Sequence, residues 1–498
     1  MKTIDTTDMQ GLIVRGYKEL KAAYFMLLHI TDKKEVKSYL NYLLDKNEIT
    51  PGDRQQINLP QKEGDNIRHA VQIAFTSKGL KVLGLADDIL STFSREFIEG
   101  MDETFRSQIL GDLGDSSPKN WQWGGCNTDD VHLIMLFYAK TPPSLADLII
   151  KHKNEFRGIK IIKELDTFDT PESKEHFGFH DGISQPPMGG LPVSSTSSKK
   201  YNIKDPIKPG EFVLGYLNEY NQYCKSPHIY STDDADNLLP VSPENNHFKD
   251  LGKNGTYLIY RQIKQDVFNF WKYLKENSKE PVEKDSEDPQ IETAIRLGAK
   301  MVGRWPGGAP LVKYPEYRDR DKKADIMIEY SKDRLGQKCP FGAHIRRANP
   351  RDQLFSGRGD DDSKQMIRKH QLLRRGRVFG KPLVASMHPE DMLSKEKDDG
   401  IERGLHFICL SADISRQFEF VQNVWINNPV FGDLYNEVDP VIGTRLNSEN
   451  SYNNDLTCPA NPTQRKYKNI PQFTKVLGGS YFFLPGIKAL RFIINSGH

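Results

Sequence analysis

The chain has 498 residues, a formal net charge of +2, 37% hydrophobic and 27% charged residues. Length and composition exclude one ordinary domain and an unfolded chain, and point to a soluble protein of two or three domains with ample core. The near-zero charge argues against general nucleic-acid binding. The five cysteines (Cys126, Cys224, Cys339, Cys409, Cys458) are scattered, with no CxxC. That is neither a disulfide framework nor a zinc site, and it suggests thiols kept reduced. The first residues, MKTIDTTDMQ, carry no apolar core or twin arginine, and no run of about eighteen apolar residues occurs, so a cytoplasmic protein without a membrane span is expected.

Alternating strands and helices are predicted in the first third. Ala22–His29 is a short apolar run suited to a strand, and Asp32–Asp45 has helical spacing with Asp32 as its cap. His69–Phe75 is a second strand, Thr76–Gly84 a short helix, Val131–Ala139 the strongest strand, Ser144–Lys153 an amphipathic helix and Ile159–Leu165 a fourth strand. This βαββαβ order fits an antiparallel sheet with helices on one face, the ferredoxin-like plan. A small polar stretch at 194–200 marks a linker. The boundary expected there separates domain 1–195 from domain 196–498.

The second domain repeats the rhythm. Thr256–Ile263 is a strand, Asp266–Lys275 and Ile291–Met301 are helices, and residues 279–288 form a charged insertion. Gly404–Ser411 is a buried strand, Ile414–Trp425 a helix and Gly479–Leu484 a closing strand. No short-period repeat exists, so any duplication lies in element order alone. The expected fold class is α+β, two ferredoxin-like domains with antiparallel sheets.

Four stretches carry chemistry. Residues 176–186 read HFGFHDGISQP, where glycines bracket Asp181 and a proline pair follows. Such a turn holds one carboxylate at a pocket wall while backbone passes close by. Residues 339–351, CPFGAHIRRANPR, set His344 in a shaped loop before Arg346 and Arg347. Residues 372–380, LLRRGRVFG, place Arg374 two positions before a glycine, with Arg375 as the fallback. In residues 404–425, Leu405 and Phe407 share strand parity with Cys409 and face one side.

Taken in order, these stretches resemble the dye-decolourising peroxidases. IAFTSKGLKVLGL, VGRWPGGAPL and GGSYFFLP extend the likeness over nearly the whole chain. It is nearest to the longer bacterial members with extended loops. The resemblance implies one haem b per chain, held mainly by the C-terminal domain. It implies His344 as iron ligand, Asp181 as the acid–base of peroxide cleavage and Arg374 as its electrostatic partner. Arg346 or Arg347 would pair with the haem propionates, and Leu405 and Phe407 would border the distal pocket. Asp413 is the candidate acceptor for the other N–H of His344, with Glu419 competing. His180 reads as incidental. The implied activity is reduction of hydrogen peroxide to water with one-electron oxidation of dyes or aromatic compounds, at acidic pH. A haem carrier or haem-iron-releasing protein, and a haem-free module that kept the fold, are the alternatives.

Overall fold

The computed structural model describes residues 4–53, 68–191, 206–278, 282, 286–354, 359–445, 454–460 and 463–496. The linker stretch at 194–200 and the boundary at 195 lie outside these, as does part of the charged insertion at 279–288.

Nine strands form one sheet: β1 Ala22–Ile30, β2 His69–Phe75, β3 Leu133–Ala139, β4 Ile159–Asp166, β5 Thr256–Gln265, β6 Leu373–Arg374, β7 Arg377–Phe379, β8 Gly404–Ser411 and β9 Thr474–Leu484. The order is β4-β1-β3-β2-β9-β5-β8-β6, with β7 also on β8 and every pairing antiparallel. The first four strands run in the order four-one-three-two. Counting β6 and β7 as one broken strand, the second set does the same. The two ferredoxin-like halves therefore share element order, as the sequence rhythm predicts. They join where Phe75 pairs with Phe483. A bridge between Phe168, just past β4, and Val378 in β7 links the outer ends, so the sheet closes on itself.

Strand alternation sorts the side chains into two cores. Phe25, Leu27, Leu136, Tyr138, Leu258, Tyr260, Ile408 and Phe482 fill the interior of the closed sheet. The opposite faces are covered by helices. Lys33–Asp45, capped by Asp32 accepting from the Glu35 N–H at 2.9 Å, buries Leu40, Leu43 and Leu44 there. Pro142–Glu155 carries a Thr141 capping box. The last helix, Ile487–Asn495, packs on the same N-terminal layer. In the C-terminal half Val267–Asn277 and Pro289–Val302 form a separate core with Phe177 and Phe179.

Three local expectations are revised. β9 begins at Thr474 rather than Gly479, and a bulge at Val476/Gly478 lets the strand run on. Gly478 admits the indole of Trp123, which a β-carbon would meet at 2.5 Å. The loop expected around His344 is a five-residue helix, His344–Ala348. The helix expected at 414–425 is wound wide, with bonds from Glu419 N–H to Ile414 C=O and Asn427 N–H to Gln422 C=O. Such i→i−5 turns are rare and favour functional sites. Here they lie beside a cavity, which Phe418 and Val421 help to line.

Candidate active site

A cavity of about 410 Å³ opens between the outer face of the C-terminal half-sheet and the elements that cover it. Leu405 and Phe407 of β8 line it, as strand parity predicts, and Phe418 and Val421 of the wide-turned helix face them. Asp181, Arg374 and His344 all reach it.

Asp181 arrives on a hairpin-like turn. The Glu175 N–H bonds to Phe179 C=O at 3.0 Å, and the Gly178 N–H to Glu175 C=O at 2.8 Å. Gly178 and Gly182 take φ of +90° and +67°, which explains the paired glycines. The Glu175 carboxylate clamps the turn, accepting from the N–H groups of Phe177 (2.9 Å) and Phe179 (3.0 Å) and from Gln265 Nε2 (2.6 Å). Burial pushes its pKa up to about 7 despite these donors, with Asp181 adding to the rise.

Arg374 sits at the end of β6, where Cys409 is its register partner. Its Nη1 donates to Asp181 Oδ1 at 3.1 Å and its Nη2 to Ser184 C=O at 3.2 Å, while Gln185 Oε1 accepts from its backbone N–H at 3.0 Å. The Ser-Gln of the GISQP stretch thus fixes the arginine. Asp181 Oδ1 also accepts from the Gly182 N–H at 2.6 Å. Burial works against the Asp181 charge, but Arg374, the Gly182 N–H and Lys18 outweigh it and hold the carboxyl below the usual aspartate range. Arg375 points the other way, into the closed sheet, donating to Leu12 C=O (2.7 Å) and Ile13 C=O (2.9 Å). Neighbouring residues on a strand face opposite sides, so only Arg374 serves the cavity. His180 lines the cavity too, and burial lowers its pKa.

His344 opens its short helix, and its Nδ1 donates to Asp439 Oδ2 at 2.8 Å. The Asp439 side chain is fully buried, and its Oδ1 accepts from the Val441 and Ile442 N–H groups, each at 2.9 Å. Burial opposes charge on Asp439, yet His344 and these two N–H groups hold its pKa down. The Nε2 of His344 has no hydrogen-bond partner among the described residues, and the ring faces the cavity.

Two expectations are overturned by this geometry. The acceptor for His344 is Asp439, not Asp413. Asp413 instead caps the wide-turned helix, accepting from the Arg416 N–H at 2.9 Å and meeting Arg416 Nε at 3.3 Å. Glu419 is taken up by Arg106 (2.8 Å) and the Tyr481 hydroxyl (2.8 Å). Nor do Arg346 and Arg347 reach the cavity. Both are buried and engaged: Arg346 on Asp333 Oδ2 (3.0 Å) and Cys339 C=O (2.6 Å), Arg347 on the carbonyls of Trp425 (2.7 Å) and Asn428 (3.1 Å). They anchor the His344 helix.

Besides Arg374, the arginines that line the cavity are Arg304 and Arg351. Arg304 spends Nη1 on the carbonyls of Gly308 (2.6 Å) and Asp325 (2.7 Å). The Arg351 guanidinium has no hydrogen-bond partner among the described residues, and its backbone has φ of +57°. Both lie in stretches singled out in the sequence, VGRWPGGAPL and the final residue of CPFGAHIRRANPR. The Asn349-Pro350 step, read only as shaping the His344 loop, leads directly into Arg351. Asp439 lies in no such stretch.

Fold and site together define a class: closed α+β barrels with a histidine on a buried carboxylate and an aspartate–arginine pair facing one cavity. Residues 8–168 match the family model for the DyP dimeric alpha+beta barrel domain. The chain is 28% identical to the dye-decolorizing peroxidase msp1 of Mycetinis scorodonius, over 99% of this chain and 88% of that protein. It is 30% identical to the multifunctional dye peroxidase DyP2 of an Amycolatopsis species, over 64% of this chain and 60% of that protein. The structure of an ancestral D-type dye-decolorizing peroxidase superposes with a TM-score of 0.72 at 25% identity, covering 98% of this chain and 99% of the other. The chain is thus similar over nearly its whole length to dye-decolourising peroxidases, and its residues 8–168 match that family's barrel domain. No helix among the described residues is long and apolar enough to cross a membrane.

Proposed function

We propose that the protein is a haem peroxidase that reduces hydrogen peroxide to water and oxidises dyes and phenolic or other aromatic compounds one electron at a time. The observation that carries this reading is the cavity's polar set: a carboxylate-oriented imidazole with one free nitrogen, and a separate carboxylate–guanidinium pair.

The residues fit a haem. His344 would hold the iron through Nε2, because the carboxylate on Nδ1 fixes the tautomer and raises ligand basicity. Arg351, with Arg304 beside it, would meet the propionates, since guanidinium binds carboxylate through paired hydrogen bonds. Leu405, Phe407, Phe418 and Val421 supply the apolar walls. When bound, the haem supplies the iron centre that stores the oxidising equivalents of peroxide.

The chain's own residues handle the protons. Asp181, kept ionised by Arg374, accepts a proton from peroxide and returns it to the departing oxygen, which leaves as water. Arg374 stabilises the negative charge that develops as the O–O bond breaks. A carboxylate base with a lowered pKa stays ionised well into acid. Glu175, neutral below about pH 7, adds a second negative charge to the same cavity above it. An acidic optimum follows. Matches over nearly the whole length of fungal relatives support a place among the longer members. We place it in the bacterial branch on its extended loops alone, which the fungal matches do not favour. A cytoplasmic location is supported by five free cysteines.

The test is a visible spectrum of the haem-loaded protein before and after one equivalent of peroxide, with dye turnover. A spectral change followed by catalytic dye loss is expected. Stoichiometric haem or iron release without turnover would instead make the protein a carrier or an iron-releasing protein. No haem uptake at all would leave a haem-free module.

A further inference from the structure

Behind the cavity wall, inside the closed sheet, lies a tyrosine–histidine pair that peroxide cleavage does not use. Tyr260 and His406 are both fully buried, and the tyrosine hydroxyl lies 2.8 Å from His406 Nδ1. The other ring nitrogen, Nε2, faces the carbonyl of Asp166 at 2.9 Å. A carbonyl only accepts, so Nε2 carries the proton, Nδ1 has the lone pair and the phenol donates to it. Burial lowers the imidazole pKa to about 4, which keeps the ring neutral at rest. His406 sits between Leu405 and Phe407, whose side chains line the cavity, so one strand separates the pair from it. The surroundings are aromatic: Trp123 lies 5.2 Å from the Tyr260 ring, and Phe25 and Phe379 lie 5.6 and 4.7 Å from His406.

We propose that Tyr260, with His406 as its built-in proton acceptor, is a redox-active site that takes up one oxidising equivalent delivered to the cavity by peroxide and holds it as a buried tyrosyl radical. This rests on the peroxidase reading for its oxidant. Tyr260 gives one electron to the oxidised centre, which is reduced by one equivalent. The phenolic O–H bond breaks and its proton forms an N–H bond at His406 Nδ1. A returning electron reverses both transfers. A neutral base already in hydrogen-bond contact lets the proton move without leaving the dry interior, where an unneutralised charge is costly.

Tyr17, Tyr138, Tyr39 and Tyr481 lack this combination. The hydroxyls of Tyr17 and Tyr138, in the same interior, have no partner among the described residues. Tyr39 bonds His152 at 2.9 Å, but on the far layer of the N-terminal half, and His152 Nε2 makes no hydrogen bond among the described residues, with the Glu48 carboxylate 3.9 Å away. Tyr481 bonds Glu419, a carboxylate already held by Arg106.

The experiment uses the haem-loaded full chain in two arms. In the first, one equivalent of hydrogen peroxide is added, the sample is frozen rapidly and high-field EPR recorded. In the second, a ruthenium photosensitiser on Cys126, the exposed cysteine (the other four are buried), supplies the oxidising equivalent by flash without peroxide. A tyrosyl signal with one strongly coupled exchangeable proton, from His406 Nδ1–H, is expected. It should be lost in Tyr260→Phe and kept in Tyr39→Phe and Tyr481→Phe. A signal that survives in Tyr260→Phe, or disappears in either of the other two variants, overturns the proposal. If Tyr260→Phe does not fold, ring-deuterated tyrosine and D2O exchange in the unsubstituted protein decide, and a radical without the exchangeable coupling is fatal. A haem spectrum indifferent to peroxide defeats the peroxidase reading alone, and the flash arm still judges the pair.

Discussion

The two halves of the barrel share a strand order but not a use. In the N-terminal half the first and second strands are joined through residues 31–68, whose helix Lys33–Asp45 packs directly on the sheet. In the C-terminal half the same connection runs from 266 to 372 and contains the His344 helix, Arg304 and Arg351. Asp439 comes from the connection before β9, and Asp181 from the stretch that follows β4. Only Arg374 is on a strand. One layer is filled by Leu40, Leu43 and Leu44, whereas the other is held off the sheet and leaves a cavity. The sheet supplies a rigid wall, and long connections hung on it supply the chemistry.

The sharpest way to break this contrast is His344→Ala, which removes the proposed iron ligand from the long connection. Folded protein with little or weakly held haem is expected, read from the Soret absorbance per chain. Full haem content would move the ligand elsewhere. Next come Asp181→Asn and Arg374→Leu, which should bind haem normally and slow peroxide-driven haem oxidation about 10²–10⁴-fold, measured by stopped flow. Rates within about tenfold of the unsubstituted protein would assign O–O cleavage to a different pair.

Asp439→Asn should weaken haem retention or activity by about 10–100-fold, as loss of a ligand-orienting carboxylate does. Asp413→Asn should not, and equal effects would restore Asp413 to the ligand's support. Glu175→Gln tests the pH reading. Its carboxyl is neutral below about pH 7 and charged above it. The unsubstituted enzyme should lose kcat/KM through that range and the variant should not, while His180→Gln keeps the acidic optimum. A fall abolished by the His180 change would make the imidazole the titrating group. The smallest effect on activity belongs to the packed half. Leu43→Ala, fully buried, should cost about 2–5 kcal/mol of stability by chemical denaturation and leave haem affinity unchanged.

The strands were legible because apolar alternation is a local signal. His69–Phe75 and Gly404–Ser411 have the bounds that their residues predict, and Asp32 caps the helix expected of it. The Asp181 turn was legible because its glycines meet a backbone requirement that shows in a few residues. The chain by itself determined its α+β repeats and three polar groups of the cavity, Asp181, His344 and Arg374. Tertiary structure alone decided which partner each one meets. Asp439 lies 95 residues from His344 and Asp181 lies 193 from Arg374, so no local pattern joins them. It also decided that Arg346 and Arg347 are anchors and Arg351 faces the cavity. All three carry the same guanidinium. What each does depends on which carbonyls and carboxylates the folded chain brings within hydrogen-bond reach.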